Sequence, residues 1–280
     1  MEISALTAET QFAPINGNQI AYRVLGQGPY LLMYNRFRGV LDTWDPLFID
    51  TLAGSNTVVL FDYPGIGDSA GMLPEDMTVV ANTGVSLMSH LGVNTFSVAG
   101  WSYGGLAAQA ALFLHPQQII KAVLIGTNPV GQNEIPLDTT FLEYAFKPVN
   151  TLEDEYVLFF EPAQGKSLAA ANASHERIAQ RLVRGKIPVG METYQYYSKG
   201  AAMMREDKAG FRAQYASLQA PVLVISGDHD ISFPVENWFS LLRTAPSIQH
   251  IIVHGSGHGP QHQEPELIAG YMNLFLNRPA

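Results

Sequence analysis

The chain predicts an α/β fold, a mostly parallel sheet covered by helices on both faces. Three observations lead there. Short, unbroken apolar runs recur along it, as in Tyr30–Tyr34, Thr57–Phe61 and Pro221–Ile225, and such runs suit strands buried on both sides. Helix-forming stretches alternate with them, the rhythm a parallel sheet requires. Hydrophobic residues make up 47% and charged residues 15% of 280 positions. That is a globular composition, with enough chain for one large domain or one domain carrying an insertion.

The elements follow in order. Thr10–Pro14 and Gln19–Val24 flank Asn16-Gly17-Asn18, a hairpin turn signal. Gly26-Gln27-Gly28-Pro29 breaks the chain before the strand Tyr30–Tyr34, and Asn35–Gly39 follows as a loop. Asp45–Leu52 is helical and Thr57–Phe61 is the next strand. It ends in the Pro- and Gly-rich loop Asp62–Ser69, whose residues enforce tight turns. Met77–Leu91 is a helix, with Val80, Val85, Leu87, Met88 and Leu91 as its apolar stripe. Thr95–Ala99 is a strand, Leu106–Leu114 a helix stopped at His115-Pro116, and Ala122–Ile125 a strand. Between about 130 and 204 strand-like runs vanish and aromatics crowd together, Phe141, Tyr144, Phe146, Tyr156, Phe159, Phe160, Tyr194, Tyr196 and Tyr197 among them. This is a mainly helical insertion whose aromatics partly form its own core. The rhythm then resumes with a helix at Arg205–Leu218, a strand at Pro221–Ile225, a helix at Val235–Leu242, a strand at Gln249–Val253 and a closing helix at Glu264–Leu276. The expected divisions are a core of residues 1–130 and 205–280 and an insertion of 131–204.

The net charge of −9 disfavours nucleic acid and anionic membranes as partners. With no cysteine there is neither disulfide nor thiolate chemistry. The first ten residues lack the basic and apolar regions of a signal peptide, and no apolar run is long enough to span a bilayer. The expectation is a soluble cytoplasmic protein acting on a small molecule, with a homodimer left open.

The chemistry centres on Gly100-Trp101-Ser102-Tyr103-Gly104, a Gly-x-Ser-x-Gly between a strand and a helix. So tight a corner strains the central residue and presents the Ser102 hydroxyl at the sheet edge and the helix N-terminus. Gly100 and Gly104 are needed where a side chain would strike the neighbouring chain. A serine hydroxyl needs a base within reach, usually a histidine held by a carboxylate. Of the eight histidines, His90 and His115 sit at helix ends, His175 lies in the insertion, His250 lies in the last strand and His254 at its end. His262 opens the final helix. His258, in the loop Gly255–Pro260 past that strand, is the best base. The four-residue spacing of His250, His254, His258 and His262 suggests a helical metal stripe only until Gly255, Gly257, Gly259 and Pro260 are counted, because they forbid a helix. For the acid, Asp228 and Asp230 both follow the strand ending at Ile225, and either could cap the helix near Pro234. Asp228 organises the turn and Asp230 reaches the histidine. The preceding strand tip offers Asn128, a neutral amide that stabilises an imidazolium poorly.

With these residues the chain resembles the α/β-hydrolase fold superfamily over nearly its whole length. The order Ser102, Asp230, His258 matches. So do Gly227, Asp230 and Pro234, then Gly257, His258, Glu264 and Pro265, then the turn Asp62, Gly65, Gly67, Ser69. The resemblance implies an eight-stranded, mostly parallel sheet, a cap formed by residues from about 131 to 204, and an oxyanion hole made by the amides of Phe37 and Tyr103. One loop departs: Asn35-Arg36 stands where the family usually has His-Gly. Arg36 there either turns to solvent, pairs with an acid, or meets a substrate carboxylate or carbonyl. Trp101 either lines the pocket or packs behind the elbow.

The function expected is a serine hydrolase, esterase- or lactonase-like, acting on a small to medium apolar ester, lactone or thioester without metal or organic cofactor. Fold alone does not set the substrate. The same scaffold could serve a cofactor-free oxygenase, a perhydrolase, a carbon–carbon bond hydrolase, or a small-molecule receptor with slow turnover. A haloalkane dehalogenase is disfavoured, because it needs a carboxylate where Ser102 stands.

Overall fold

The computed structural model describes residues 4–181 and 186–279. Eight strands form one sheet in the order β1-β2-β4-β3-β5-β6-β7-β8, with β1 Gln11–Ile15, β2 Asn18–Leu25, β3 Tyr30–Tyr34, β4 Thr57–Phe61, β5 Phe96–Trp101, β6 Ile119–Ile125, β7 Val222–Gly227 and β8 Ile248–Val253. β2 runs antiparallel to β1 and β4, and every other pairing is parallel. The hairpin between β1 and β2 turns at Asn16 and Gly17, both at positive φ, the geometry that selects Asn-Gly.

Strand periodicity sorts the core into two layers. Leu32, Tyr34, Val98, Leu124 and Val224 face the side covered by the helices α2 Met77–His90 and α3 Tyr103–Leu114. Leu31, Met33, Ala99, Trp101, Val123 and Ile225 face the side covered by α1 Pro46–Ala53 and α10 Pro265–Leu276. Because both faces are covered, β4 and β5 are buried along their full lengths, and this is why β4 reads as an unbroken apolar run. The Asp45 side chain caps α1 by accepting from Leu47 N, and Asp76 caps α2 by accepting from Thr78 N.

The segment between β6 and β7 carries α4 Thr139–Ala145, α5 Leu152–Phe159, α6 Gly165–Ala179, α7 Met191–Glu206 and the short α8 Phe211–Gln214. Two elements depart from expectation. The helix expected from Arg205 to Leu218 is the tail of α7 followed by α8. Asp207 adopts the left-handed conformation at φ 48°, ending α7, and its carboxylate accepts from Phe211 N and Arg212 N to start α8. The helix expected at Val235–Leu242 is a 3₁₀ helix over Val235–Leu241. There Trp238 Nε1 donates to Thr127 O at 2.6 Å and Asn237 Nδ2 to Ile135 O at 2.9 Å, and these ties hold the backbone in the tighter turn. A short helix α9, Pro260–Gln263, precedes α10. No helix among the described residues is long and apolar enough to cross a membrane.

Candidate active site

Parallel strands place their C-terminal ends on one edge, and that edge gathers the residues singled out above. β5 leads into Ser102, β7 into Asp230 and β8 into His258, while the loop after β3 carries Phe37. Ser102 has φ 60° and ψ −121° and directly precedes α3. A non-glycine residue held there costs on the order of 1–3 kcal/mol and persists only where its surroundings enforce it. Here they do. A Cβ on Gly100 would strike the carbonyl of Gly104, and one on Gly104 would strike that of Tyr34. Ser102 N donates to Ile125 O at 2.9 Å, tying the corner to β6.

His258 is 1% exposed. Its Nδ1 lies 2.8 Å from Asp230 Oδ2, and its Nε2 has no hydrogen-bond partner. The other Asp230 oxygen accepts from Ser232 N and Phe233 N, both at 2.8 Å, so the carboxylate is held from two sides. With Nδ1 as donor to Asp230, Nε2 is the free acceptor. Asp228 faces away from this pair. Its carboxylate accepts from Gly255 N at 2.7 Å and Ser256 N at 3.3 Å and bonds His229 and His254. These contacts hold its pKa below the usual carboxylate range against the opposing effect of burial. Asn128 is turned to Asn237, whose Nδ2 lies 3.1 Å from its Oδ1.

A cavity of about 110 Å³ adjoins Ser102, lined by Phe37, Tyr103, Leu106, Phe141, Phe146 and Tyr197 among others. Phe141 and Phe233, which also border it, pack on the His258 ring with centroids 5.5 and 5.6 Å away. Ser102 and residues of α4 and α7 thus meet at one apolar space, two of whose lining rings pack on His258. Tyr103 N is the first amide of α3, and helix-leading amides have no intrahelical acceptor.

Neither Trp101 nor Arg36 lines this cavity. Strand alternation sends Trp101 to the opposite face, where it is buried against Trp44, Phe159 and His262 and donates Nε1 to His258 O at 2.8 Å. It therefore braces the histidine loop from behind. The Arg36 guanidinium lies over the rings of Phe159 and Trp101, 4.6 and 5.3 Å from their centroids, and donates to Phe37 O. Burial lowers its pKa to about 10. Asn35, its neighbour, accepts from Trp44 Nε1 and donates to Phe61 O, so the departure from His-Gly is built into the loop.

Two further residues escaped the sequence reading. Gly126, at φ +48°, leaves room for the histidine and its acid: a Cβ there would lie 2.6 Å from His258 O and 3.4 Å from Asp230 Oδ2. Its position just past a strand tip was the available signal. Arg38, also left-handed at φ 58°, donates to Ala145 O, Lys147 O, Pro148 O, Asn150 Oδ1 and Pro188 O. It joins the loop after β3 to the segment beyond α4. No local pattern foretells so many nonlocal partners.

A strand-corner serine on an eight-stranded sheet is the arrangement of one fold family, whose sequence profile, described as the alpha/beta hydrolase fold, matches residues 37–265. The chain belongs to the α/β hydrolase fold family. An α/β hydrolase fold protein from Chitinophaga pinensis has the same fold, with a TM-score of 0.87 and 25% identity over 99% of this chain and 100% of that one. A poly(3-hydroxyalkanoate) depolymerase of Ectopseudomonas oleovorans is 26% identical over 89% of this chain and 84% of its own length. The biotin biosynthesis bifunctional protein BioHC of Teredinibacter turnerae is 23% identical over 84% of this chain, and the match spans 42% of that protein's length.

Proposed function

We propose that this α/β hydrolase cleaves a small to medium apolar ester, lactone or thioester through an acyl-enzyme on Ser102. The observation that carries the reading is a strained serine at the head of a helix and beside an apolar cavity, together with a buried His258–Asp230 pair at the same sheet edge whose Nε2 is unpartnered. In the proposed cycle His258 Nε2 accepts the Ser102 proton as Oγ attacks the substrate carbonyl carbon. The amides of Phe37 and Tyr103 receive the oxyanion, an effect on the order of 3 kcal/mol per donor. Asp230 holds the tautomer that leaves Nε2 free and stabilises the imidazolium. His258 then gives its proton to the leaving group. Water, deprotonated by His258, attacks the acyl-enzyme and releases the acid. Every step uses groups of the chain, the substrate and water.

The aromatic and aliphatic lining supports an apolar acyl group, and the likeness to a poly(3-hydroxyalkanoate) depolymerase supports an ester-type bond. In the same reading residues 131–204 act as a cap, since α4 and α7 supply part of that lining.

The test is intact mass after treatment with a serine-directed fluorophosphonate. Wild type gains one adduct, while Ser102→Ala and His258→Ala, folded by circular dichroism, gain none. Labelling of Ser102→Ala, or turnover of p-nitrophenyl esters by it, overturns the acyl-enzyme.

A further inference from the structure

The cavity beside Ser102 offers a substrate more than a nucleophile. At about 110 Å³ it lies well below the roughly 300–1,000 Å³ of pockets for drug-sized ligands, and no charged side chain borders it among the described residues. Five of its lining side chains carry a polar atom: Ser102, Tyr103, Tyr197, Ser198 and Ser232. The Tyr103 and Tyr197 hydroxyls are sealed by packing, and the Ser198 hydroxyl donates to Tyr194 O at 2.9 Å along its own helix. Ser102 and Ser232 remain. Ser232 is 2% exposed, and its Oγ makes no hydrogen bond among the described residues; unlike the two phenols, that oxygen is not packed shut. The little surface Ser232 keeps borders the cavity. A buried hydroxyl is costly to leave unpaired, so Ser232 Oγ waits on a substrate atom.

The position of Ser232 decides which part of the substrate it meets. Its amide donates to Asp230 Oδ1 at 2.8 Å, while Asp230 Oδ2 lies 2.8 Å from His258 Nδ1. The next residue, Phe233, borders the cavity and packs on the His258 ring, with centroids 5.6 Å apart. Ser232 therefore stands on the acid–histidine side of the cavity. In the acyl-enzyme cycle proposed above, His258 protonates the leaving group, which puts the alcohol part of the ester on that side.

We infer that Ser232 is a specificity-determining residue that hydrogen-bonds a hydroxyl on the alcohol part, so that the substrate is a short, uncharged ester of a small hydroxylated alcohol. The direction of the ester rests on that acyl-enzyme cycle. A serine hydroxyl both donates and accepts, so it pairs with a second hydroxyl, whereas an alkyl group in the same place leaves it unpaired. A carboxylate or ammonium group would meet no counter-charge among the described lining residues.

Propyl butyrate and 2-hydroxyethyl butyrate differ only by a methyl in place of a hydroxyl. Their dissociation constants from Ser102→Ala, measured by NMR titration of ¹⁵N-labelled protein, need no turnover, so the result is separate from that of the fluorophosphonate test. Adding Ser232→Ala removes Oγ and leaves the amide on Asp230. It is expected to shift the ratio of the two constants by about threefold to tenfold against the hydroxylated ester, the worth of one neutral hydrogen bond. Ser232→Thr, which keeps the hydroxyl, should retain most of the ratio. Should Ser232→Ala fail to fold, Ser232→Cys puts a weak donor in place of Oγ and should shift the ratio in the same direction. With Ser102 present, the ratio of kcat/KM for the two esters should move likewise. A ratio that Ser232→Ala leaves unchanged, both esters weakened alike, or no saturable binding of 2-hydroxyethyl butyrate overturns the inference. An unchanged ratio in a protein whose wild type takes the fluorophosphonate adduct defeats this inference and leaves the acyl-enzyme standing. A shifted ratio alongside labelling of Ser102→Ala does the reverse.

Discussion

Gly126 shows how a single missing side chain can hold a site together. It closes β6 at φ +48°, with His258 O, His258 Nδ1 and Asp230 Oδ2 all within 3.4 Å of where a Cβ would stand. Gly126→Ala is therefore expected to push histidine and carboxylate apart. Turnover should fall by roughly tenfold or more, as positioning errors of that size do, while circular dichroism stays native; unchanged kcat would show that the pair tolerates displacement. Asp230→Asn tests the same pair chemically. An amide in place of the carboxylate can hydrogen-bond Nδ1 in the wrong tautomer, and kcat should drop by roughly 10³-fold or more with KM little changed.

Among the elements, the loop after β3 carries the most consequence. Its Phe37 ring meets Phe146, Tyr194 and Tyr197 edge-on at 4.9–5.9 Å. The next residue, Arg38, is 4% exposed and gathers the acceptors of 145–150 and Pro188, with its guanidinium 5.2 Å from the Tyr194 ring. The proposed oxyanion loop and the proposed cap are thus fastened to each other by adjacent residues. Arg38→Ala strands several carbonyls and should lower unfolding free energy by about 2–3 kcal/mol, the scale of charged hydrogen bonds lost. Arg38→Lys, which keeps the charge but not the planar fork, should recover only part. Urea unfolding midpoints read both, and equal stability of Arg38→Ala and wild type would refute the fastening.

Across the whole molecule, buried and half-buried titratable groups set how stability follows pH. Burial lowers His250 and His262 to about 4. Between about pH 6.5 and 4 the unfolded chain takes up protons at these positions that the folded chain refuses, so stability falls as pH falls. Asp62 acts with the opposite sign: burial raises its carboxyl to about 7, the folded chain holds the extra proton, and its contribution falls as pH rises from about 4 to 7. His250→Gln, at the hydrogen bond to Ser226 Oγ, should lose less stability than wild type between pH 6.5 and 5. Asp62→Asn should flatten the opposite limb. Denaturant midpoints at several pH values measure both slopes, and parallel curves for His250→Gln and wild type would count against a neutral, half-buried His250.

The strands were legible because a sheet covered on both faces demands unbroken apolar runs, and Tyr30–Tyr34 and Thr57–Phe61 coincide with β3 and β4. The places of Ser102, Asp230 and His258 just past strand ends were legible too, since parallel strands deliver their ends to one edge. Helix ends set by side-chain ties from elsewhere were not, as the 3₁₀ turn held by Trp238 and the break at Asp207 show. Trp101 had two readings from sequence, and only packing chose between them, because its ring finds its partners on elements far along the chain. The same holds for Arg36, Arg38 and Gly126. Local propensity and periodicity are written in neighbouring residues, whereas a cavity, an orphaned donor or a close approach exists only once distant segments have met.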